Sequence, residues 1–499
     1  MEGVIQTVNK GGEELFGYPK EELIGKKRVS LFSSGEVVIQ NVGMWLSSAI
    51  KNGEHNTKTY FIRKDGTRFN AAISITPTFK NGRNNPQTGY CGITIPIKEE
   101  VKVPIKFSTI FIKWAFAITR GGFTSASLFP IFAIAAFFAG SGDGLFNVLS
   151  LILCAAGIVF LHVSSNLFND YYDVKDGTDG ANTEYFNAGL NSTVLEGAQL
   201  SGGSRAIELG LITLEGTLSL ARKMLFTAVV FTAGLLYNSY LVTGELTNAK
   251  NALIIGCIGG LLGYFYTARP IRLVSRRGLG EVAIFLAFGP VLTLGALFAI
   301  SSSTVELYSQ EFFNAIYLGI PFGFLTTNIL YINQFPDTVS DAKTGKNHLI
   351  VTLGKKNGRW GYLLILLAAF GSSIYLADIL SQNLAYFNEN VFYIGNALLF
   401  LYGMLAFVNL YKNYNSRDLI HSNLKTIYLT EILADNLINF NKNVFYIGNA
   451  LLFLYGMLAF VNLFKNYNSR DLIHSNLKTI YLQIFYGLFM VLALNLFFI

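Results

Sequence analysis

The chain has 499 residues, of which 52% are hydrophobic and only 14% charged. Globular chains average about 25% charged residues. The composition therefore excludes a disordered chain and argues against a soluble enzyme or a nucleic-acid binder built on charged surface. The net charge of +7 fits a membrane protein, where excess Lys and Arg gathers in cytoplasmic loops. Cys91, Cys154 and Cys257 are scattered, with neither disulfide nor metal spacing. Cys154 and Cys257 read as small core residues.

Residues 1–103 are polar and turn-rich, with no run long enough to span a bilayer and no signal peptide. FIRKDGTRF is two alternating runs around a Lys-Asp-Gly turn, a hairpin signal. GEELFGYPKEELIG predicts two short helices separated at Gly17-Tyr18-Pro19. Together with NGEHNTKTYFIRKDGTRFNAAISITPTF (52–79) and GYCGITIPIKEE (89–100), these pieces resemble a small α+β PAS domain. The match begins at what looks like the second strand, so the domain reads as truncated at its start. It implies a ligand-free dimerising or regulatory module, with a homodimer through this part. EEVKVPIKFSTIFIKWAF (99–116) is expected to run as an interfacial helix into the membrane.

Residues 104–499 form the second domain. Apolar runs near 122–140, 146–168, 224–244, 251–268, 281–300, 311–332, 360–378, 391–411, 444–464 and 481–499 are each long enough to cross ~30 Å of hydrocarbon. The predicted fold is an all-α, multi-spanning helix bundle, about nine spans plus one duplicated. Residues 387–429 return at 440–482 with an offset of 53. This tandem duplication adds a span, so one copy is expected to lie outside the main bundle. The connections alternate between basic and nearly Lys/Arg-free, which puts the N-terminus and the basic loops in the cytoplasm.

Acidic residues cluster at span ends, where they are costly. NLFNDYYDVKDGTD follows the second span and NQFPDTVSDAKTGKNHL the sixth. Asp170 and Asp173 are three apart and Asp337 and Asp341 four apart, so each pair shares a helix face and repels. A divalent cation would offset that repulsion. Oxygen ligands suit Mg²⁺, which favours one or two carboxylates plus phosphate oxygens. Two clusters suggest two metals gripping one diphosphate, with Lys175, Arg205, Arg269, Arg272 and Lys346 completing the clamp. The plainer reading is helix caps and solvated charges, and Asp176 fits that best.

Asn169-Asp170-Tyr171-Tyr172-Asp173 and Asp337-Thr338-Val339-Ser340-Asp341 resemble the two motifs of the UbiA superfamily of intramembrane prenyltransferases. LSGGSRAIELGLIT (200–213), YTARPIRLVSRRGLGE (266–281) and the tail from Gly345 to Gly354 are similar too, and the position of Asp179 resembles the menaquinone branch. The resemblance implies that Asp170, Asp173 and Asp179 bind one Mg²⁺ and Asp337 and Asp341 the other. It places Asn169 and Asn333 on metal-bound phosphate, and Arg272, Tyr266 and Lys346 on the diphosphate. Asp173, Asp337, Arg272 and Lys346 would be catalytic, and Asn169, Asn333, Tyr266, Arg205 and Lys175 would bind substrate. The partners would be a polyprenyl diphosphate, a 1,4-dihydroxy-2-naphthoate-like aromatic acceptor and the lipid bilayer, without nucleic acid. A dry cavity lined by Phe and Tyr, in a multi-pass protein of the cell membrane, would host the reaction. Another acceptor (4-hydroxybenzoate, a glycerol-phosphate lipid or a tetrapyrrole), a membrane sensor with inert spans, and a transporter stay open. His162 reads as a packed histidine and His348 as a loop residue.

Overall fold

A computed structural model describes residues 4–383 apart from 81, 83–86, 141–145, 178–203, 205 and 208–209, with scattered positions between 393 and 412. The duplicated segment, save those positions, and the runs 444–464 and 481–499 lie outside the described residues.

The first part is a small α+β unit. Short helices α1 (Lys10–Phe16), α2 (Lys20–Leu23), α3 (Gly35–Val37) and α4 (Gly43–Asn52) precede three strands. Strands β1 (His55–Ile62), β2 (Arg68–Phe79) and β3 (Gln87–Pro96) form one antiparallel sheet in the order β1-β2-β3. The predicted hairpin is present: Phe61 pairs with Phe69, and the Asp65 side chain accepts from the Thr67 N–H at 2.8 Å. Such an Asx turn lets the chain reverse over few residues. The interior is filled by Phe16, Phe32, Val37, Trp45, Phe61 and Ile73. Phe16 stacks on Phe32 with ring centroids 3.9 Å apart.

The connecting segment starts in that core, through Val103 and Ile105. It then forms α5 (Phe107–Ile112) and a π-helical turn over Lys113–Ile118. Phe107, Ile110, Phe111 and Trp114 stay exposed, while Lys113 turns inward to Glu36 at 2.6 Å. One apolar exposed side and one anchored side suit the expected interfacial helix. Burial works against the Glu36 carboxylate, but the Lys113 hydrogen bond and charge, with Ser34 and the backbone, hold it below the usual carboxylate range.

Seven helical segments among the described residues are long and apolar enough to cross a membrane, and they coincide with the first seven predicted runs. They are α6 (Ser125–Gly140), α7 (Val148–Lys175), α8 (Leu214–Thr243), α9 (Thr247–Thr267), the pair α10 (Leu279–Phe288) and α11 (Pro290–Ile300), α12 (Gln310–Lys343), and α13 (Leu349–Asn383). The protein is thus a multi-pass membrane helix bundle behind a small sheet unit. Helix α7 packs along α8, and α12 along α13. At 1.5 Å per residue, α12 is about 51 Å long, well beyond the hydrocarbon thickness. Its last turns, with Asp337 and Asp341, therefore continue past the apolar layer.

The fifth span breaks at Gly289 (φ −114°, ψ −113°), just before Pro290. The break lets α10 and α11 press on α12. A Cβ on Gly289 would lie 2.8 Å from Gly323 Cα, and one on Gly319 would lie 2.7 Å from the Gly289 carbonyl carbon. Small residues at such crossings let backbones touch, the main source of helix association in lipid. Gly319→Val should overpack this crossing by roughly 1–3 kcal/mol or more. Size-exclusion profiles should then lose the monodisperse peak, while Gly371→Ala, at a position with nothing within 4 Å, keeps it.

Cys154 is buried as expected, but Cys257 is exposed. It lies on α9, few of whose side chains are buried inside the bundle.

Candidate active site

Two helices bring the acidic motifs together. Near the end of α7 lie Asn166, Asn169, Asp170 and Asp173; near the end of α12 lie Asp337 and Asp341. The segment after α12 folds back by a turn, in which Lys346 N–H donates to the Asp341 carbonyl at 2.9 Å. This returns Lys346 to the acids. Its Nζ lies 2.6 Å from Asp173 and 4.0 Å from Asp341, with all three side chains at most 10% exposed. Motifs 168 residues apart thus converge on one ammonium.

Around this centre lies a cavity of about 540 Å³, a size that suits a small-molecule site. Asn169, Asp173, Tyr266, Asn333, Asp337, Asp341 and Lys346 line it. Asp170 is buried beside it. One of its oxygens takes the Ser204 N–H at 3.2 Å and faces Arg120 at 3.9 Å. Asn166 Nδ2, Asn169 Oδ1 and the other Asp170 oxygen are buried without a hydrogen-bond partner among the described residues. Buried polar atoms are rarely left so; the Asn169 and Asp170 oxygens fit a hard cation such as Mg²⁺, and the Asn166 amide N–H fits a phosphate oxygen. Among the described residues no three His, Cys, Asp or Glu side chains are grouped closely enough to hold a metal ion by themselves.

Other expected residues lie elsewhere. Arg272 does not line the cavity. It pairs with Asp176 at 3.3 Å, and Arg269 pairs with the same carboxylate at 3.3 Å. Asp176 is thus an ion-pair partner and not the solvated acid the sequence suggests. Lys175 is exposed and lies over the Tyr171 ring, 5.6 Å from its centroid, away from the cavity. Asp179 and Arg205 lie outside the described residues.

Three residues at or beside the site were given no functional role by the sequence, His348 among them as a loop residue. His348 is buried, lines the cavity, and sits 3.1 Å from Asp341; its closeness to Lys346 in GKNHL was the available signal. Arg120 lines the cavity in a left-handed conformation (φ 55°). Glu281 is buried and accepts from Gln334 Nε2 at 3.1 Å and from the Leu349 N–H at 3.0 Å. It ties α10 to α12 and satisfies an orphan amide at the start of α13.

The cavity wall differs from the expected aromatic lining. Phe123, Tyr266 and Phe288 are its aromatic members apart from His162 and His348, and Leu, Ile, Val, Ala and Gly make up most of the rest. Gly256, Gly259, Gly260 and Gly263 on α9 open this room. His162 pairs with Ser127 at 2.7 Å and meets the Phe288 ring edge-on. Val229 and Leu253 line the cavity while 56% and 45% exposed, so it opens sideways between α8 and α9.

The pattern of the UbiA prenyltransferase family matches residues 211–425, and that of a PAS domain matches residues 1–93. The chain carries a UbiA prenyltransferase domain behind a PAS domain. Several relatives are named 1,4-dihydroxy-2-naphthoate octaprenyltransferase. The one from Haemophilus influenzae is 26% identical over 266 residues, 51% of this chain and 75% of the relative. The one from Escherichia coli is 28% identical over 245 residues, 48% and 67% of the two chains. The UbiA prenyltransferase domain-containing protein 1 of Dictyostelium discoideum is 26% identical over 282 residues, 55% of this chain and 72% of the relative. Among solved structures, a UbiA homolog from Aeropyrum pernix aligns with a TM-score of 0.47 at 15% identity, covering 64% of this chain and 98% of that one. One from Archaeoglobus fulgidus bound to GPP and Mg²⁺ aligns at 0.42 and 14% identity, covering 66% and 100%. The UbiA domain makes this protein an enzyme, a prenyltransferase.

Proposed function

We propose that the UbiA domain transfers a polyprenyl group from its diphosphate to 1,4-dihydroxy-2-naphthoate. The observation that carries this reading is the convergence of Asp173 and Asp341 on Lys346 at one end of an apolar cavity. A polar, charge-dense end and a long apolar body match a polyprenyl diphosphate. The sideways opening beside Val229 and Leu253 gives the polyprenyl tail a path into lipid. The naphthoate acceptor comes from the names of the relatives.

Asp170, Asp173, Asp337 and Asp341 would hold Mg²⁺ with the diphosphate, a cation that would neutralise the leaving group's charge. Lys346, Asn169 and Asn333 hold phosphate oxygens, and Tyr266 faces the same end of the cavity. Arg272, fixed by Asp176, steadies that end from outside. The allylic C–O bond breaks with its electron pair leaving on the diphosphate. The ring carbon that carries the acceptor's carboxylate donates a pair to the allylic carbon, and its bond to the carboxylate breaks to release CO₂, the bond's pair restoring the aromatic ring. The aliphatic wall excludes water, which would otherwise quench the cation, and the Phe288 and Tyr266 rings offer π-faces to it.

The PAS domain, the acidic motifs and the basic Arg269–Arg277 loop share one end of the bundle, which supports a cytoplasmic site in a cell membrane. A transporter would need its acids midway along the path, and here they sit at its end. An inert anchor has no use for buried carboxylates paired across helices.

The test is a competition between 1,4-dihydroxy-2-naphthoate and 4-hydroxybenzoate, with purified protein in lipid nanodiscs and a polyprenyl diphosphate. The expected outcome is a prenylated naphthol product and pyrophosphate, both abolished by EDTA and restored by Mg²⁺. Product from 4-hydroxybenzoate instead would move the acceptor assignment. No pyrophosphate with either acceptor would end the reading.

A further inference from the structure

The PAS domain does more than hang from the bundle. Its stretch 35–40 reaches the membrane part at four places. Gly35 lies against the loop before α8: a Cβ there would fall 2.5 Å from Leu211 Cδ2, 2.9 Å from Leu211 Cα and 3.2 Å from the Gly210 carbonyl oxygen. Ile39 packs on a cluster that holds Leu211 and Ala206 together with Leu167 and Phe168 of α7. Glu36 holds Lys113 at 2.6 Å. Gln40 makes three hydrogen bonds to the connecting segment, donating to the Pro104 carbonyl and accepting from Lys106 N–H and Thr109 Oγ1, each at 2.9 Å.

Both contacted segments end on Asp170. In the loop, Leu211 N–H donates to the Ala206 carbonyl at 2.8 Å, Ala206 N–H donates to Ser204 Oγ at 3.2 Å, and Ser204 N–H donates to Asp170 at 3.2 Å. The connecting segment runs through Lys113 to Arg120, which faces the same carboxylate at 3.9 Å. Asp170 is thus fixed from two sides by pieces that the PAS domain touches. On the PAS side, Val37 within the stretch and Trp45 beyond it are buried in the PAS core. Between them Val38–Val42 is π-helical, a form rare in helices and frequent at functional sites. A rearrangement of the PAS core has to move this stretch, because packed interiors transmit shifts instead of absorbing them.

We propose that residues 35–40 of the PAS domain are a positioning surface for the prenyl-transfer site, setting the placement of Ser204, Ala206 and Leu211, and of Arg120, against Asp170. The consequence for catalysis rests on the function proposed above; the mechanical coupling does not. Any signal that reshapes the PAS core would then tune the site by changing how firmly Asp170 is held, without occupying the cavity. Residues 35–40 are positioning residues, since none of them lines the cavity.

The experiment uses the full chain in nanodiscs. Gly35→Ala drives a methyl into Leu211, and Gly35→Ala/Leu211→Ala relieves the part of that clash due to the leucine side chain. Hydrogen–deuterium exchange is read over 204–212, with β2 and β3 as the control for an intact PAS sheet. The Mg²⁺ concentration giving half-maximal pyrophosphate release is read alongside. Gly35→Ala should speed exchange at 204–212 and raise the Mg²⁺ requirement by roughly fivefold to tenfold, with partial return in the double variant. Gln40→Ala, which loosens the connecting segment without adding bulk, should act in the same direction and replaces Gly35→Ala if β2 and β3 lose protection. Unchanged exchange at 204–212 in both variants overturns the coupling. Faster exchange with an unchanged Mg²⁺ requirement overturns its role in the reaction. If the unaltered chain releases no pyrophosphate, the functional reading falls, and the exchange data still decide the coupling.

Discussion

Asp173→Ala and Asp337→Ala are each expected to lower pyrophosphate release by at least about 10³-fold while leaving a folded membrane protein. Removing one preorganised charge-stabilising group from an active site costs about 10²–10³ in rate. Here each change also deletes a buried carboxylate of the cavity wall. Asp173 is the nearer partner of Lys346, at 2.6 Å, so its loss also releases the lysine from its place. The double variant should be little worse than either single one, because residues that act as a unit are not additive. Asp176→Asn is the contrast. That carboxylate holds Arg272 and Arg269 at 3.3 Å and stays outside the cavity, so its loss should cost only about tenfold, through misplaced arginines. Steady-state pyrophosphate release from detergent-purified protein measures all four. Near-normal release from Asp173→Ala or Asp337→Ala would remove the acidic motifs from the chemistry.

How much of this was legible in the sequence follows from the range of the interactions involved. Hydropathy placed the first seven spans, because each is a local property of about 20 residues. The β1–β2 hairpin was readable from Asp65-Gly66 for the same reason. The acidic motifs were readable because their spacing is helical and their location is costly. What failed needed partners far along the chain. Asp176 looked solvated until α9's following loop brought Arg269 and Arg272 to it. Glu281 carried no signal of its own, yet it holds a backbone amide 68 residues on. Arg120 precedes the first span, where a basic residue ordinarily marks topology, and only the fold brings it to Asp170. The aromatic lining failed for another reason: Phe residues are abundant, but glycines on α9 decide where space is left. Gly35 was silent as well, since a glycine in a turn-rich stretch carries no sign that a second domain rests on it.

Lys346 is the residue on which the two motifs depend together, and its removal should have the other large effect. Its ammonium lies between Asp173 and Asp341, all three side chains at most 10% exposed. Lys346→Met keeps the apolar stem and deletes the charge, so two buried carboxylates face each other with no cation between them. Breaking a buried ion pair by removing one partner costs about 3–5 kcal/mol, because the remaining charge is uncompensated. The variant should therefore unfold at a clearly lower temperature than the unaltered protein in metal-free buffer. Added Mg²⁺ should restore much of the loss, since a divalent cation bound between the same carboxylates performs the same neutralisation, and binding to the folded state stabilises it by mass action. Lys346→Met/Asp173→Asn should recover stability without metal, because one of the opposed charges is gone. Neither variant should regain pyrophosphate release, as the diphosphate has lost a direct contact. Thermal unfolding followed by intrinsic fluorescence, with and without Mg²⁺, reads the stability arm. If Lys346→Met melts where the unaltered protein does and ignores Mg²⁺, the lysine is not what reconciles the two acidic motifs, and their closeness must have another cause.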